Sequence, residues 1–216
     1  MAFENRRAAG RALAAALGEY RGSQTVVLGI TRGGTAVAAE VAATLHLPLD
    51  ALVVHKIAEP GQPALGLATV AEPGHVVVNQ RAVQQLALPA EWLAEAVAHG
   101  IREVSRRASS YRGARGRPDL TGQRVIVVDD SAATGVTLQA AVAAVRALGA
   151  REVILAVPVL PAPVAEMLRP QVERVVCLAT PADLVACDIH YPSAREVSDD
   201  DIRRLVQRSN ATTPGG

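Results

Sequence analysis

Apolar side chains recur three and four positions apart from Phe3 to Leu17, and the run Thr25-Val26-Val27-Leu28-Gly29-Ile30 follows with almost no polar interruption. The first spacing predicts a helix with one buried face, and the second a strand covered on both sides. After the turn Thr31-Arg32-Gly33-Gly34, an alanine-rich pattern predicts a helix over 35–45, and Ala51 to His55 a short strand. Prolines and glycines break the pattern from Glu59 to Pro73, which reads as a loop or hairpin. A strand over 76–78, a long helix over 89–110 and a glycine- and arginine-rich connection over 111–123 complete the first half.

From Arg124 the alternation sharpens. It predicts a strand over 125–128, a helix over 136–148 stopped by Gly149, a strand over 152–157, a helix over 163–169 and a strand over 174–178. Residues 181–192 look irregular, and Ser198, followed by Asp199 to Asp201, caps a last helix through Arg208. Strands alternating with helices imply an α/β fold with an open, mostly parallel, twisted sheet flanked by helices. A chain of 216 residues, half of them apolar, suits one domain over 1–208, with a disordered tail over 209–216.

Composition removes several classes of function. The 22 basic and 21 acidic residues nearly cancel, so no overall field marks a nucleic-acid or membrane partner. Aromatic residues make up 2% of the chain, too few for a stacking platform along single-stranded nucleic acid. The start MAFENRRAAGR has no apolar core and does not read as a secretory signal. The most apolar stretch, 153–168, is interrupted by Pro158, Pro161 and Pro163 and does not read as a membrane span. Cys177 and Cys187 lack metal-ligand spacing and suit core thiols in a reducing cytoplasm.

The chemistry concentrates in Val125-Ile126-Val127-Val128-Asp129-Asp130-Ser131-Ala132-Ala133-Thr134-Gly135-Val136-Thr137. Asp129 and Asp130 fall at the carboxyl edge of a strand, where open α/β sheets bind ligands. The amides of 132–137 at a helix start, with the hydroxyls of Thr134 and Thr137, suit a phosphate. Two adjacent carboxylates can accept from vicinal hydroxyls and hold magnesium through water. Alone, Asp129-Asp130 reads equally well as a helix cap in an ordinary βα turn.

The full string resembles the ribose-phosphate motif of type I phosphoribosyltransferases, and the order of elements is similar over most of the chain. The resemblance implies a ligand, 5-phosphoribosyl diphosphate, a magnesium ion and a nitrogenous base as acceptor, with a small irregular hood from about 181–195 and the N-terminal helix as a further candidate contributor. It places Thr31, Arg32, Gly33 and Gly34 in the pyrophosphate loop, with a cis peptide at Thr31–Arg32, and Ser131, Ala132, Ala133, Thr134, Gly135, Val136 and Thr137 in the phosphate loop. Asp129 and Asp130 would orient the ribose and hold magnesium, while Arg32 and Lys56, the only lysine, would neutralise the leaving diphosphate. Ser109-Ser110-Tyr111 resembles the Ser-Tyr pair of a closing loop, against a frayed helix end.

Two departures blur the base. Ala133 replaces the aspartate that 6-oxopurine enzymes often carry before Thr-Gly, and the hood offers Leu184, Val185 and Ala186 with only Tyr191 to stack. Backbone around Val185 would then hold the base loosely. Assembly as a homodimer stays open. A non-catalytic sensor of phosphoribosyl diphosphate or a nucleotide is the competing reading. Haloacid-type phosphatase chemistry is disfavoured, because Asp129-Asp130 lacks the Asp-x-Asp spacer.

Overall fold

The computed structural model describes residues 3–59, 62–86, 88–181, 191 and 196–211. Five strands form one parallel sheet: β1 (Thr25–Ile30), β2 (Leu49–Leu52), β6 (Arg124–Val128), β7 (Glu152–Val159) and β8 (Arg174–Ala179), in the order β2-β1-β6-β7-β8. A second, antiparallel sheet of β3 (Val54–Glu59), β4 (Gln62–Ala71) and β5 (His75–Val78) is inserted between β2 and the long helix that leads back to β6. The helices are α1 (Arg6–Ala16), α2 (Gly33–Leu45), α3 (Gln80–Leu86), α4 (Ala90–Arg112), α5 (Val136–Ala147), α6 (Ala162–Leu168) and α7 (Asp199–Ala211). Among the described residues no helix is long and apolar enough to cross a membrane.

The unbroken apolar run of β6 follows from its central place. Ile126 and Val128 pack with Leu13 of α1, with Leu17 just past its end, and with Val37 and Val41 of α2. Val125 and Val127 face the other way, onto Leu138, Val142 and Val145 of α5. A strand buried on both faces has no position for a polar side chain. Only past Val128, where the sheet ends, does the sequence become acidic.

Strand order places the site. The chain leaves β1 outward to β2, then returns to lay β6 on the opposite side of β1, pairing Gly29 with Val128. This is a topological switch point, where the loops after two neighbouring strands diverge and leave a crevice at their carboxyl ends. Residues 31–34 and 129–137 are the two loops that border it.

Several boundaries differ from expectation. The strand expected over 51–55 is two strands in two sheets, with Val53 between them. β3 and β4 form a hairpin, paired from Val54↔Ala71 to Glu59↔Gln62 with irregular register near Ala58. Helix α3 was not expected, although Asn79 caps it by accepting from the Ala82 amide at 3.1 Å. Helix α4 runs through Tyr111 to Arg112 and stops at Gly113, whose φ of 61° suits glycine. Helix α7 continues past Arg208 to Ala211, and Ser198 and Asp201 exchange side-chain and backbone bonds in a capping box.

Candidate functional site

Asp129 and Asp130 follow β6 directly, and each is 8% exposed. Their backbone steps are locked by their own side chains: the Asp130 amide donates to Asp129 Oδ1 at 2.9 Å, and the Ser131 amide to Asp130 Oδ1 at 3.0 Å. Ser131 also pairs with Val159, which carries the β6 direction one step past the acids. Burial first, and then the like charge of Asp130, push the Asp129 carboxyl well above the usual carboxylate range; the Asp130 amide and the charge of Lys56 oppose them.

The loop after β1 closes the other wall. The Thr31–Arg32 peptide is cis, as the resemblance implies. A Cβ on Gly33 would overlie Asp130 Oδ2 and come within 2.5 Å of its Cγ. One on Gly34 would meet Asp129 Cα and the Val128 carbonyl oxygen, each at 2.7 Å. The glycine pair therefore lets the start of α2 lie directly against the acids. Gly34→Ala, which clashes with backbone, should destabilise the fold by about 1–3 kcal/mol. Gly33→Ala meets a side chain instead and should disturb ligand binding more than thermal stability. Thermal denaturation beside calorimetry separates the two, and a Gly33→Ala protein that binds like the parent would show that the loop does not control the acid.

Past the acids, Ala132 is buried while Ala133 and Thr134 are exposed. Gly135 turns the chain into α5 with a φ of 77°, and a Cβ there would collide with Met167 and Val164 of α6 at 2.7 Å. Val136 begins α5, and Thr137 in its first turn is buried. The small-residue loop thus lies between the acids and a helix N-terminus, with amides available to an anion.

The remaining expected residues divide. Lys56 is an exposed residue of β3, opposite Thr69, close enough for its charge to act on Asp129. Arg32 caps α2 and donates to Glu196 Oε1 at 3.1 Å. Tyr111 is not on a loop: its ring is fully buried in the cluster under the antiparallel sheet, and its hydroxyl donates to Asp199 at 2.9 Å. Burial, then that bond, push its phenol up to about 12. Tyr191 is 2% exposed; its hydroxyl donates to the Asp130 carbonyl at 2.6 Å and its ring stacks on Phe3 at 6.2 Å. A base cannot stack on it without moving what covers it. Val185 lies outside the described residues.

Sequence reading missed Arg6. From the first turn of α1 its Nε donates to Asp130 Oδ2 at 2.8 Å, with both side chains largely buried. Its guanidinium sits 5.4 Å from the Tyr191 ring centroid. The signal was faint: a charged residue at the start of an amphipathic helix, in a segment noted only as a candidate contributor to the hood. A cleft of about 420 Å³ between α1, α2 and α7 shares Arg6, but neither Asp129 nor Asp130 lines it.

One consequence concerns pH. A carboxyl raised in the folded state keeps a proton that the unfolded chain releases, so its stabilising contribution is full below the unfolded pKa and is lost as pH rises through the folded one. Asp129→Asn should therefore raise the melting temperature of the ligand-free protein at neutral pH and leave it nearly unchanged at about pH 3.5. A variant no more stable than the parent at pH 7 would contradict the raised pKa.

Among known proteins, the family model of the phosphoribosyl transferase domain matches residues 3–179. A protein from Mycobacterium tuberculosis H37Rv, named provisionally as a phosphoribosyl transferase, is 40% identical over 208 residues, covering 96% of this chain and 47% of its own length. The chain thus spans about half the length of the curated relatives it matches. The crystal structure of TT1426 from Thermus thermophilus superposes with a TM-score of 0.78 at 36% identity, covering 96% of this chain and 99% of that one.

Proposed function

This chain belongs to the phosphoribosyl transferase domain family, and from that membership we propose that it binds 5-phosphoribosyl diphosphate with magnesium and transfers the phosphoribosyl group to a nitrogenous base, releasing diphosphate. The observation that carries the reading is the buried Asp129-Asp130 pair at the switch point, walled by Gly33 and Gly34 and followed by a small-residue loop into α5.

Asp129 and Asp130 accept hydrogen bonds from the ribose hydroxyls. The amides of 132–137, with Thr134 and Thr137, take the 5′-phosphate at the start of α5. Thr31 to Gly34 present backbone to the diphosphate, and Arg32 and Lys56 offset its charge once Arg32 turns from Glu196. The bond from ribose C1 to the diphosphate oxygen breaks with its electron pair leaving on diphosphate, while the base nitrogen forms the new bond to C1 and gives up its proton. Both carboxylates stabilise positive charge building on the ribose.

The donor set fits magnesium. Among the described residues no group of three or more His, Cys, Asp or Glu could hold an ion alone, but this ion keeps much of its water and completes its shell with substrate phosphates. Asp129 and Asp130 would hold it through water, and a cation beside two adjacent buried carboxylates offsets the burial cost and the repulsion that together raise Asp129. When bound, it supplies charge neutralisation on the leaving diphosphate.

A non-catalytic sensor is the second reading, favoured by one observation: Tyr191, the ring available for stacking a base, is covered by Phe3 and held near Arg6. Incubation with phosphoribosyl diphosphate, magnesium and a panel of bases, with diphosphate release as the readout, separates the two. Release that requires a base supports transfer. Tight binding with no release for any base supports the sensor.

A further inference from the structure

We propose that Arg6 is a positioning residue for ribose recognition: its guanidinium fixes Oδ2 of Asp130 so that the carboxylate meets the sugar hydroxyls in one orientation. The inference rests on the ribose-phosphate reading of the acid pair and deepens it by naming what holds the recognising group.

Three donors converge on Asp130 from three parts of the chain. Its Oδ1 accepts from the next amide, Ser131, at 3.0 Å. Its Oδ2 accepts from Arg6 Nε at 2.8 Å, 124 residues away in sequence. Its backbone carbonyl accepts from the Tyr191 hydroxyl at 2.6 Å. Tyr191 is held in turn by its stack on Phe3 and by the guanidinium of Arg6 at 5.4 Å from its centroid. Phe3, Arg6 and Tyr191 thus form one unit, built from both ends of the chain, that grips Asp130 by side chain and backbone.

A carboxylate oxygen has two acceptor positions. With one used on each oxygen, Asp130 keeps one acceptor position on each for neighbouring hydroxyls. The two existing bonds hold different oxygens, so the carboxylate cannot rotate without breaking one of them. Gly33 is packed so closely that a single added carbon would overlie Oδ2, so the carboxylate has no room to swing that way. Fixing a recognising group beforehand removes an ordering cost from binding. A guanidinium serves because its planar N–H groups meet a carboxylate in a defined geometry, and Arg6 lies against the Tyr191 ring as it does so.

If Arg6 only held α1 in place, its loss would weaken every ligand equally. If it positions Asp130, the loss falls on ligands that offer the hydroxyls. Dissociation constants for ribose 5-phosphate and 2-deoxyribose 5-phosphate are therefore to be measured by calorimetry in magnesium buffer, with melting temperatures alongside, for the parent, Arg6→Met and Arg6→Gln. The parent should prefer the ribose form by about tenfold, the scale of one charge-assisted bond to a hydroxyl. In Arg6→Met the ribose form should weaken by about tenfold and the deoxy form by less than about twofold, closing the gap. A folded Arg6→Met with the parent's preference overturns the proposal, and if that variant does not fold, Arg6→Gln is judged by the same ratio. A parent that binds neither sugar, or binds both alike, overturns the ribose-phosphate reading and this inference together.

Discussion

Arg112→Met should destabilise the protein by about 3–5 kcal/mol, the range for removing one partner of a buried ion pair. At the end of α4 the Arg112 guanidinium donates through Nε to Asp50 Oδ2 at 2.7 Å, through its two terminal nitrogens to Glu72, and to the Ala51 carbonyl at 2.7 Å. All three charged side chains are between 7 and 8% exposed. The cluster ties β2, the turn after β4 and the end of α4 together, so it joins the two sheets. Methionine keeps the apolar stem and leaves two buried carboxylates without their cation. Burial already pushes Asp50 upward, with Arg112 as the main opposing influence. The variant should hold a protonated Asp50 over a wider range, so its deficit should shrink as pH falls from 7 towards about 4. Denaturant melts at both pH values measure this. A loss under about 1 kcal/mol at pH 7 would place the cluster with the weak surface pairs.

The features read best from sequence were those whose cause is local. The apolar run into Asp129-Asp130 announces a strand buried on both faces and ending at the sheet's carboxyl edge, because no charge fits before that edge. Gly149 stops α5 through a backbone conformation with φ of 86° that few other residues adopt. The cap at Ser198 could be read for the same reason, since its partner Asp201 lies in the next turn.

What escaped depends on residues distant in the chain. Nothing near Arg6 names Asp130 as its partner, and Asp50, Glu72 and Arg112 look in sequence like three unrelated surface charges. Gly33 and Gly34 were assigned to a pyrophosphate loop by resemblance, but the neighbour that their missing side chains admit in this structure is the acid pair itself. Tyr111 was placed at the start of a glycine- and arginine-rich connection, where Ser109-Ser110-Tyr111 resembles a closing loop, yet the helix ends only at Gly113, and the turn carries the ring inward onto Asp199. The cap at Asn79 was legible and passed over: its helix spans only seven residues, too short for a clear apolar period.

The largest expected effect on binding belongs to the acids. Asp129→Asn with Asp130→Asn removes two charged acceptors from the ribose hydroxyls and the support for a water-held cation, each contact worth roughly 1.5–3 kcal/mol. Affinity for phosphoribosyl diphosphate should fall by at least about a hundredfold, which corresponds to about 3 kcal/mol. The fold should survive, since asparagine fills the same space and removes the burial cost and the like-charge repulsion that raise Asp129, which offsets the lost Arg6–Asp130 ion pair. A melting temperature close to the parent's, with binding lost, would assign the loss to the site. Calorimetric titration of phosphoribosyl diphosphate into the parent and the double variant in magnesium buffer is the most direct test: saturable binding by the parent that the variant loses is the predicted result, and a folded variant that binds as tightly as the parent would contradict it.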